Sequence, residues 1–164
     1  MKKTNFKNNT GGELNEVVYI VPINGLGFFV GISPTLNLRT KTGKKHQLIG
    51  KKVHSTDDPK MIASELFKQV CGLTVDHKKL NELNPKPRIY TDDSYKQKTH
   101  IFVYDVSGKD IISHVAEKRL QYITVKTILK QADMDQIPLA PISEQIIREM
   151  EKLKFFSVAG TPSS

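Results

Sequence analysis

The stretch from Asp58 to Gly72 constrains the fold most, because its pattern is that of a single helix. Asp58 is a residue type that caps helix N-termini, and Pro59 takes the first helical position, where its missing N–H costs nothing. Gly72 suits the left-handed conformation that ends many helices. Between them, apolar residues recur as on one helix face: Met61, Ile62, Ala63, Leu66, Phe67 and Val70. The chain therefore carries an amphipathic helix that needs an apolar surface to cover.

That surface is predicted to be a β-sheet. Runs of β-branched and aromatic residues indicate strands at residues 17–21, 28–32, 46–49, 88–90, 99–106 and 120–123. Thr124 is predicted to cap a short helix and Ser143 to cap the last one. The order of elements indicates one α/β domain over residues 14–156, with a mixed sheet and helices on both faces. Residues 1–13 are predicted to be a flexible arm, and residues 157–164 a flexible tail.

Positive charge is concentrated near the start of the chain. Lys and Arg number 25 against 17 Asp and Glu, which gives a net charge of +8. Residues 1–56 contain nine basic and two acidic residues, and no Asp or Glu occurs between Val17 and Thr56. This asymmetry favours an anionic partner, such as a nucleotide, a nucleic acid or a phosphorylated metabolite. A solvated basic surface without a partner explains the composition equally well.

Cysteine content and hydropathy bear on the cellular compartment. Cys71 is the single cysteine, so no disulfide forms within the chain, which favours a reducing environment. No apolar run reaches the roughly 18 residues of a membrane span, and the basic N-terminus lacks the apolar core of a secretory signal. We therefore expect a cytoplasmic protein without a membrane partner. Cys71 ends the predicted helix, where the dipole disfavours a thiolate, so it is a poor candidate for a nucleophile.

The stretch from Ile49 to Leu73 resembles the box of the Nudix (MutT-like) family, which reads G-x5-E-x7-R-E-U-x-E-E-x-G-U, where U is bulky and apolar. Asp57 stands where the box has its first glutamate. Residues 99–106 resemble the strand that follows the box, and residues 122–128 resemble the segment that opens a short helix. Other common positions of the family are matched by Gly50, Pro59, Ala63, Phe67, Gly72 and Leu73. The resemblance covers roughly residues 15–155 and implies a Nudix-like α/β/α sandwich with a mixed central sheet.

The chemistry of the box is not matched. In that family the glutamates hold Mg²⁺ or Mn²⁺, which needs several carboxylates one helical turn apart. Read without gaps, the Glu-Glu pair of the box falls on Gln69 and Val70, and the Arg-Glu pair on Glu65 and Leu66. With one residue inserted before Gly72, Glu65 becomes the glutamate of the Arg-Glu pair, but the Glu-Glu pair falls on Lys68 and Gln69. The positions that define this degenerate box are Gly50, Glu65, Lys68, Gln69 and Gly72, and they predict no bound metal or other cofactor.

A first hypothesis follows: a catalytically degenerate Nudix-like domain that binds a nucleotide, RNA or a protein partner through a basic cleft, as a monomer or homodimer. Lys and Arg contact phosphate directly, without a bridging metal. Lys51, Lys52 and His54 are expected on the loop that enters the helix, beside the site where the family holds its metal, and residues 39–45 on a hairpin turn further away. The candidate phosphate-binding residues are Arg39, Lys41, Lys44, Lys45, His46, Lys51, Lys52 and His54.

The alternative is a divergent pyrophosphohydrolase of nucleoside diphosphate derivatives with a relocated Mg²⁺ or Mn²⁺ site. Its catalytic metal ligands are expected to be Asp57, Asp58 and Glu65, with an acid from a later loop, such as Asp92, Asp93 or Glu144. Asp57 and Asp58 have a simpler explanation as helix-start residues, and Glu65 as a solvated residue on the polar helix face. A third hypothesis is a scaffold with no ligand in the cleft.

Overall fold

The computed structural model describes residues 14–33, 45–54, 57–83, 88–92, 95–109, 111, 119–134, 136–137 and 139–156. The predicted arm at 1–13 and the predicted tail at 157–164 lie outside these residues. The strands are β1 (Leu14–Asn24), β2 (Gly27–Ser33), β3 (Lys45–Gln47), β4 (Ile49–Lys52), β5 (Asn81–Glu82), β6 (Arg88–Asp92), β7 (Tyr95–Asp105) and β8 (Arg119–Thr124). The helices are α1 (Pro59–Cys71), α2 (Val125–Asp133) and α3 (Pro141–Lys152), with a short 3-10 helix at His77–Lys79.

The eight strands form one mixed sheet with β1 near its centre. β1 runs parallel to β7, from Leu14 beside Lys96 to Ile23 beside Asp105. Within the described residues every other pair is antiparallel: β1 with β2 and β4, β2 with β3 and β8, and β7 with β5 and β6. The long parallel pair joins the first and the middle third of the domain.

The single strand predicted at residues 46–49 is two strands in the structure. β3 pairs with β2, where His46 lies opposite Ile32, whereas β4 pairs with β1, where Ile49 lies opposite Ile20. Leu48 is buried where the chain passes from one partner to the other. His46, Leu48 and Ile49 are all buried, as they would be in one continuous strand, so the sequence pattern does not reveal the break.

Side chains of β1 alternate between two apolar layers, as the pleat requires. Val17, Tyr19 and Val21 pack in the layer that contains the buried residues of α2 and α3. Val18 and Ile20 pack in the layer that contains the buried residues of α1. The sheet is thus covered by helices on both faces, which confirms the α/β/α sandwich. No helix in the described part of the chain is long and apolar enough to cross a membrane.

The predicted ends of α1 are confirmed. The Asp58 carboxylate accepts a hydrogen bond from the N–H of Lys60 at 3.0 Å. Gly72 has a φ of 72°, in the left-handed region, and its N–H donates to the carbonyl oxygen of Lys68 at 3.2 Å. Both ends are closed by residues in the chain segment itself, which is why the pattern could be read locally.

The other two helix starts give one correct prediction and one wrong one. Thr124 caps α2, and its hydroxyl accepts the N–H of Thr127 at 3.3 Å. Ser143 does not cap α3, because this helix begins at Pro141 and Ser143 lies inside it. The Ser143 hydroxyl instead accepts the N–H of Leu48 at 3.1 Å, a contact with the crossing between β3 and β4. A contact between residues so far apart in sequence leaves no local signal.

Candidate functional site

The outward side of α1 carries the positions that matter for a Nudix-type metal site. Its buried side consists of Ala63, Leu66, Phe67, Val70 and Cys71, whereas Glu65, Lys68 and Gln69 are exposed. The outward side therefore offers one carboxylate, one ammonium group and one amide within about one helical turn. Hard divalent cations prefer several carboxylate oxygens, and an ammonium group repels them.

Asp57 and Asp58 are engaged in holding the start of α1. The Asp57 carboxylate accepts the N–H of His54 at 2.9 Å, and the Asp58 carboxylate accepts the N–H of Lys60 at 3.0 Å. Each hydrogen bond links the acid to the backbone of its own turn. Neither carboxylate contacts Glu65, so the structure does not join these three acids in one cluster.

The capping role of Asp58 predicts a specific stability pattern. We expect Asp58→Ala to lower the free energy of unfolding by about 1 kcal/mol, because a donor of the first turn loses its acceptor. Asp58→Asn keeps an acceptor oxygen, so its loss is expected to stay below roughly 0.5 kcal/mol. Urea unfolding of the three proteins checks this, and an asparagine variant as unstable as the alanine variant would show that charge, not capping, is what Asp58 supplies.

The candidate basic residues are not all on one surface. We call the side of the sheet that α1 covers the α1 face. Lys51 lies opposite Val18 on this face, whereas Lys52 lies opposite Val17 on the face that α2 and α3 cover. His54 is exposed on the loop into α1. Lys45 belongs to β3, whereas Lys51 and Lys52 belong to β4 and not, as expected, to the loop into α1. Arg39, Lys41 and Lys44 lie outside the described residues.

His46 does not serve as a surface cation. It is 1% exposed, and burial lowers the pKa of its ring, with a smaller opposing effect from the Gln121 side chain. The imidazole is therefore neutral at pH 7 and belongs to the interior. The prediction that His46 contacts phosphate is wrong, because its side chain faces the layer beneath α2 and α3.

The later acids do not complete a metal site with α1. Glu144 lies on α3, on the opposite face of the sheet from α1, and its carboxylate pairs with Arg148 at 2.9 Å. The hypothesis that Glu144 joins Glu65 at one metal ion is therefore wrong. Asp92 ends β6, but its side chain is not described, and Asp93 lies outside the described residues. Within the described part of the chain no group of three or more His, Cys, Asp or Glu side chains is arranged to hold a metal ion.

A polar cluster on the α1 face was not foreseen. The ring of His100, which is 6% exposed, lies between two carboxylates, with Nε2 at 2.6 Å from Glu16 and Nδ1 at 3.3 Å from Glu82. Both ring nitrogens thus lie within hydrogen-bond distance of a carboxylate, and the three side chains link β1, β5 and β7. The backbone of Glu16 also accepts the N–H of Val53 at 2.9 Å, which ties the cluster to the loop before α1.

The signal for this cluster is the strand period. Glu16, Val18 and Ile20 share one face of β1, and His100 and Phe102 share the same face of β7. A carboxylate and an imidazole that share a strand face with buried apolar residues indicate a buried polar pair. The sequence does not show that these strands are parallel neighbours, so the partners could not be matched.

Cys71 is a poor nucleophile mainly because it is buried, whereas the sequence pointed to the helix dipole. It is fully buried in the layer under α1, and this burial raises the pKa of the thiol to about 12. The thiolate is absent at neutral pH, so Cys71 does not act as a nucleophile there.

Comparisons with known proteins bear on the fold. No family model matches the sequence, and no curated protein sequence matches it. Among solved structures, the E. coli ORF135 protein is 14% identical, with a TM-score of 0.63 over 93% of this chain and 96% of that one. A MutT structure, from work on Aliivibrio salmonicida and Vibrio cholerae, is 12% identical, with a TM-score of 0.53 over 84% of this chain and 99% of that one. The chain therefore has a Nudix-like α/β fold.

Proposed function

We propose that this chain is a Nudix-like domain that binds a phosphate-bearing ligand, a nucleotide or RNA, and does not carry out metal-dependent hydrolysis. The observation that supports this is the outward side of α1, where Lys68 and Gln69 stand with a single carboxylate, Glu65. A lysine at such a position repels Mg²⁺ and attracts phosphate. The buried side of the same helix has the apolar residues that pack on the sheet, so the fold does not depend on carboxylates at the exposed positions.

The other acids of this face are engaged in hydrogen bonds within the protein. Glu16 and Glu82 are both paired with the ring of His100, and Asp57 and Asp58 are bonded to backbone N–H groups. Lys51 and Lys68 are exposed and have no acidic partner within ion-pair distance among the described residues. Lys51 near the loop into α1 and Lys68 in the last turn of α1 thus carry ammonium groups outside any ion pair among the described residues, and such groups suit phosphate oxygens.

The test separates binding from hydrolysis. A panel of nucleoside diphosphate compounds is incubated with Mg²⁺ or Mn²⁺, and we expect no release of phosphate products. In EDTA, ADP or a short single-stranded RNA is expected to raise the melting temperature and to give a measurable affinity. Release of products that depends on the metal would favour the divergent pyrophosphohydrolase, and absence of binding in EDTA would contradict the proposal.

Two neighbouring lysines provide matched variants. Lys51→Glu and Lys52→Glu change the net charge by the same amount, but their side chains lie on opposite faces of the sheet. We expect Lys51→Glu to weaken binding about tenfold or more, because a phosphate contact becomes a repulsion. Lys52→Glu is expected to stay within about threefold, an effect of net charge that added salt removes. Equal losses in both variants would contradict a site on the α1 face.

A further inference from the structure

A groove between β6 and α3 lies on the other side of the domain from α1. Its volume is about 540 Å³, and it is lined by Arg88, Gln145, Arg148, Glu149, Lys152 and Leu153. This volume lies within the range of small-molecule sites. The groove shares no residue with the proposed site on the α1 face, and the two sites do not depend on each other.

Glu149 lines the groove, and its charge is offset by Arg88. The side chain is 15% exposed, and Arg88 Nη1 lies 2.6 Å from its Oε2. Its other oxygen accepts the hydroxyl of Tyr90 at 2.7 Å. Both carboxylate oxygens are thus engaged, and the ion pair with Glu149 uses one nitrogen of the Arg88 guanidinium and holds that side chain in place. A side chain fixed in this way loses little conformational freedom when it binds an anion.

Arg148 is also held by carboxylates, but these lie outside the groove. Its Nε donates to Glu144 at 2.9 Å and its Nη2 to Asp133 at 2.8 Å. Neither carboxylate lines the groove. A guanidinium has five N–H donors in a planar fork, so Nη1 remains available. Lys152 follows one turn later on the same helix and has no acidic partner within the described part of the chain.

The remaining lining residues add an acceptor and an apolar wall. The Gln145 amide nitrogen donates to the carbonyl oxygen of Thr91 at 2.9 Å, which leaves its own oxygen as an acceptor. Leu153 is 53% exposed and gives the groove an apolar edge. The lining thus combines three cationic side chains, one neutralised carboxylate and an apolar surface.

We propose that this groove binds a small organic phosphate. Arg88 and Arg148 present planar N–H edges that match phosphate oxygens, and Lys152 adds a mobile ammonium group. The lining holds three cations and one carboxylate. Because Arg88 pairs with Glu149, and Arg148 with Glu144 and Asp133, the uncompensated charge that attracts a phosphate is that of Lys152. The organic part of the ligand packs against Leu153, and Gln145 accepts a hydrogen bond from it.

The experiment uses AMP, inorganic phosphate and adenosine as probes, in EDTA, with the full chain labelled for amide NMR. We expect AMP and phosphate to shift the amide signals of Arg88, Arg148 and Lys152, and adenosine alone to leave them in place. Signals of Lys51 and Val53 report separately on the α1 face, so failure of one site is distinguishable from failure of the other. Shifts with adenosine equal to those with AMP, or no shifts in α3 with AMP, would overturn the proposal.

A charge-matched pair of variants completes the test. Lys152→Glu is expected to weaken AMP binding at the groove about tenfold, since a contacting ammonium becomes a carboxylate. Lys79→Glu has the same net charge but lies in the short 3-10 helix near α1, and we expect less than about a threefold loss. Both side chains are exposed, so neither variant threatens folding. Equal losses would show that AMP follows net charge only, and the assignment of the groove would be wrong.

Discussion

Gly50→Ala is expected to lower the free energy of unfolding by about 2–3 kcal/mol, a large effect for one methyl group. A Cβ at this position would lie 2.5 Å from Cδ1 and 2.6 Å from Cε1 of the Tyr19 ring, and 3.2 Å from the carbonyl oxygen of Val18. The ring cannot readily move aside, because Tyr19 is 6% exposed and its hydroxyl accepts the Gln97 side-chain amide at 3.1 Å. The added methyl group therefore strains the backbone or displaces a buried ring.

Gly31 provides the control, since it is also a strand glycine. A Cβ there would meet its nearest atom, the carbonyl oxygen of Gln47, at 3.4 Å, which is ordinary contact. We expect Gly31→Ala to be neutral or slightly stabilising, because alanine restricts the unfolded chain. Urea unfolding curves of both variants measure the difference. Equal stability of the two variants would mean that the Tyr19 ring adapts at little cost.

Gly50 also shows how far the sequence could lead. The resemblance to the Nudix box singled out this glycine, and the local signals predicted α1, its two caps and a sheet beneath it. Each of those features depends on neighbours within a few residues, so the pattern contains them. The partner that makes Gly50 necessary, Tyr19, is 31 positions earlier in the chain. It is reached only through the register of β4 on β1, where these two residues are paired.

The candidate site was predictable in its residues but not in its arrangement. The exposed positions Glu65, Lys68 and Gln69 follow from helical period and lie on one side of α1, as expected. Lys51 and Lys52 look equivalent in sequence, yet successive residues of a strand point to opposite sides, so their side chains lie on opposite faces of the sheet. Lys45 and Lys51 are also separated, because β3 pairs with β2 whereas β4 pairs with β1. Burial of His46 depends on the same crossing, which no local pattern encodes.

Phe67→Ala is expected to cost about 3–5 kcal/mol, the largest loss among these variants. Phe67 is fully buried in the layer between α1 and the sheet. Its ring packs edge-on against Tyr104, with ring centroids 5.6 Å apart. Removing the ring leaves a cavity that rigid strands do not close, and for a chain of this size the melting temperature should fall by roughly 10 °C.

Lys68→Ala, one residue further along, is the matched control. Its side chain is exposed, so we expect a change within about 0.5 kcal/mol. Thermal and urea unfolding of the two variants check this contrast, and a loss below about 1 kcal/mol for Phe67→Ala would contradict the packing described for α1. A large difference would show that the two sides of this helix are under separate physical constraints. The buried side must fit the sheet whatever the domain binds, whereas the exposed side can change its residues without loss of the fold.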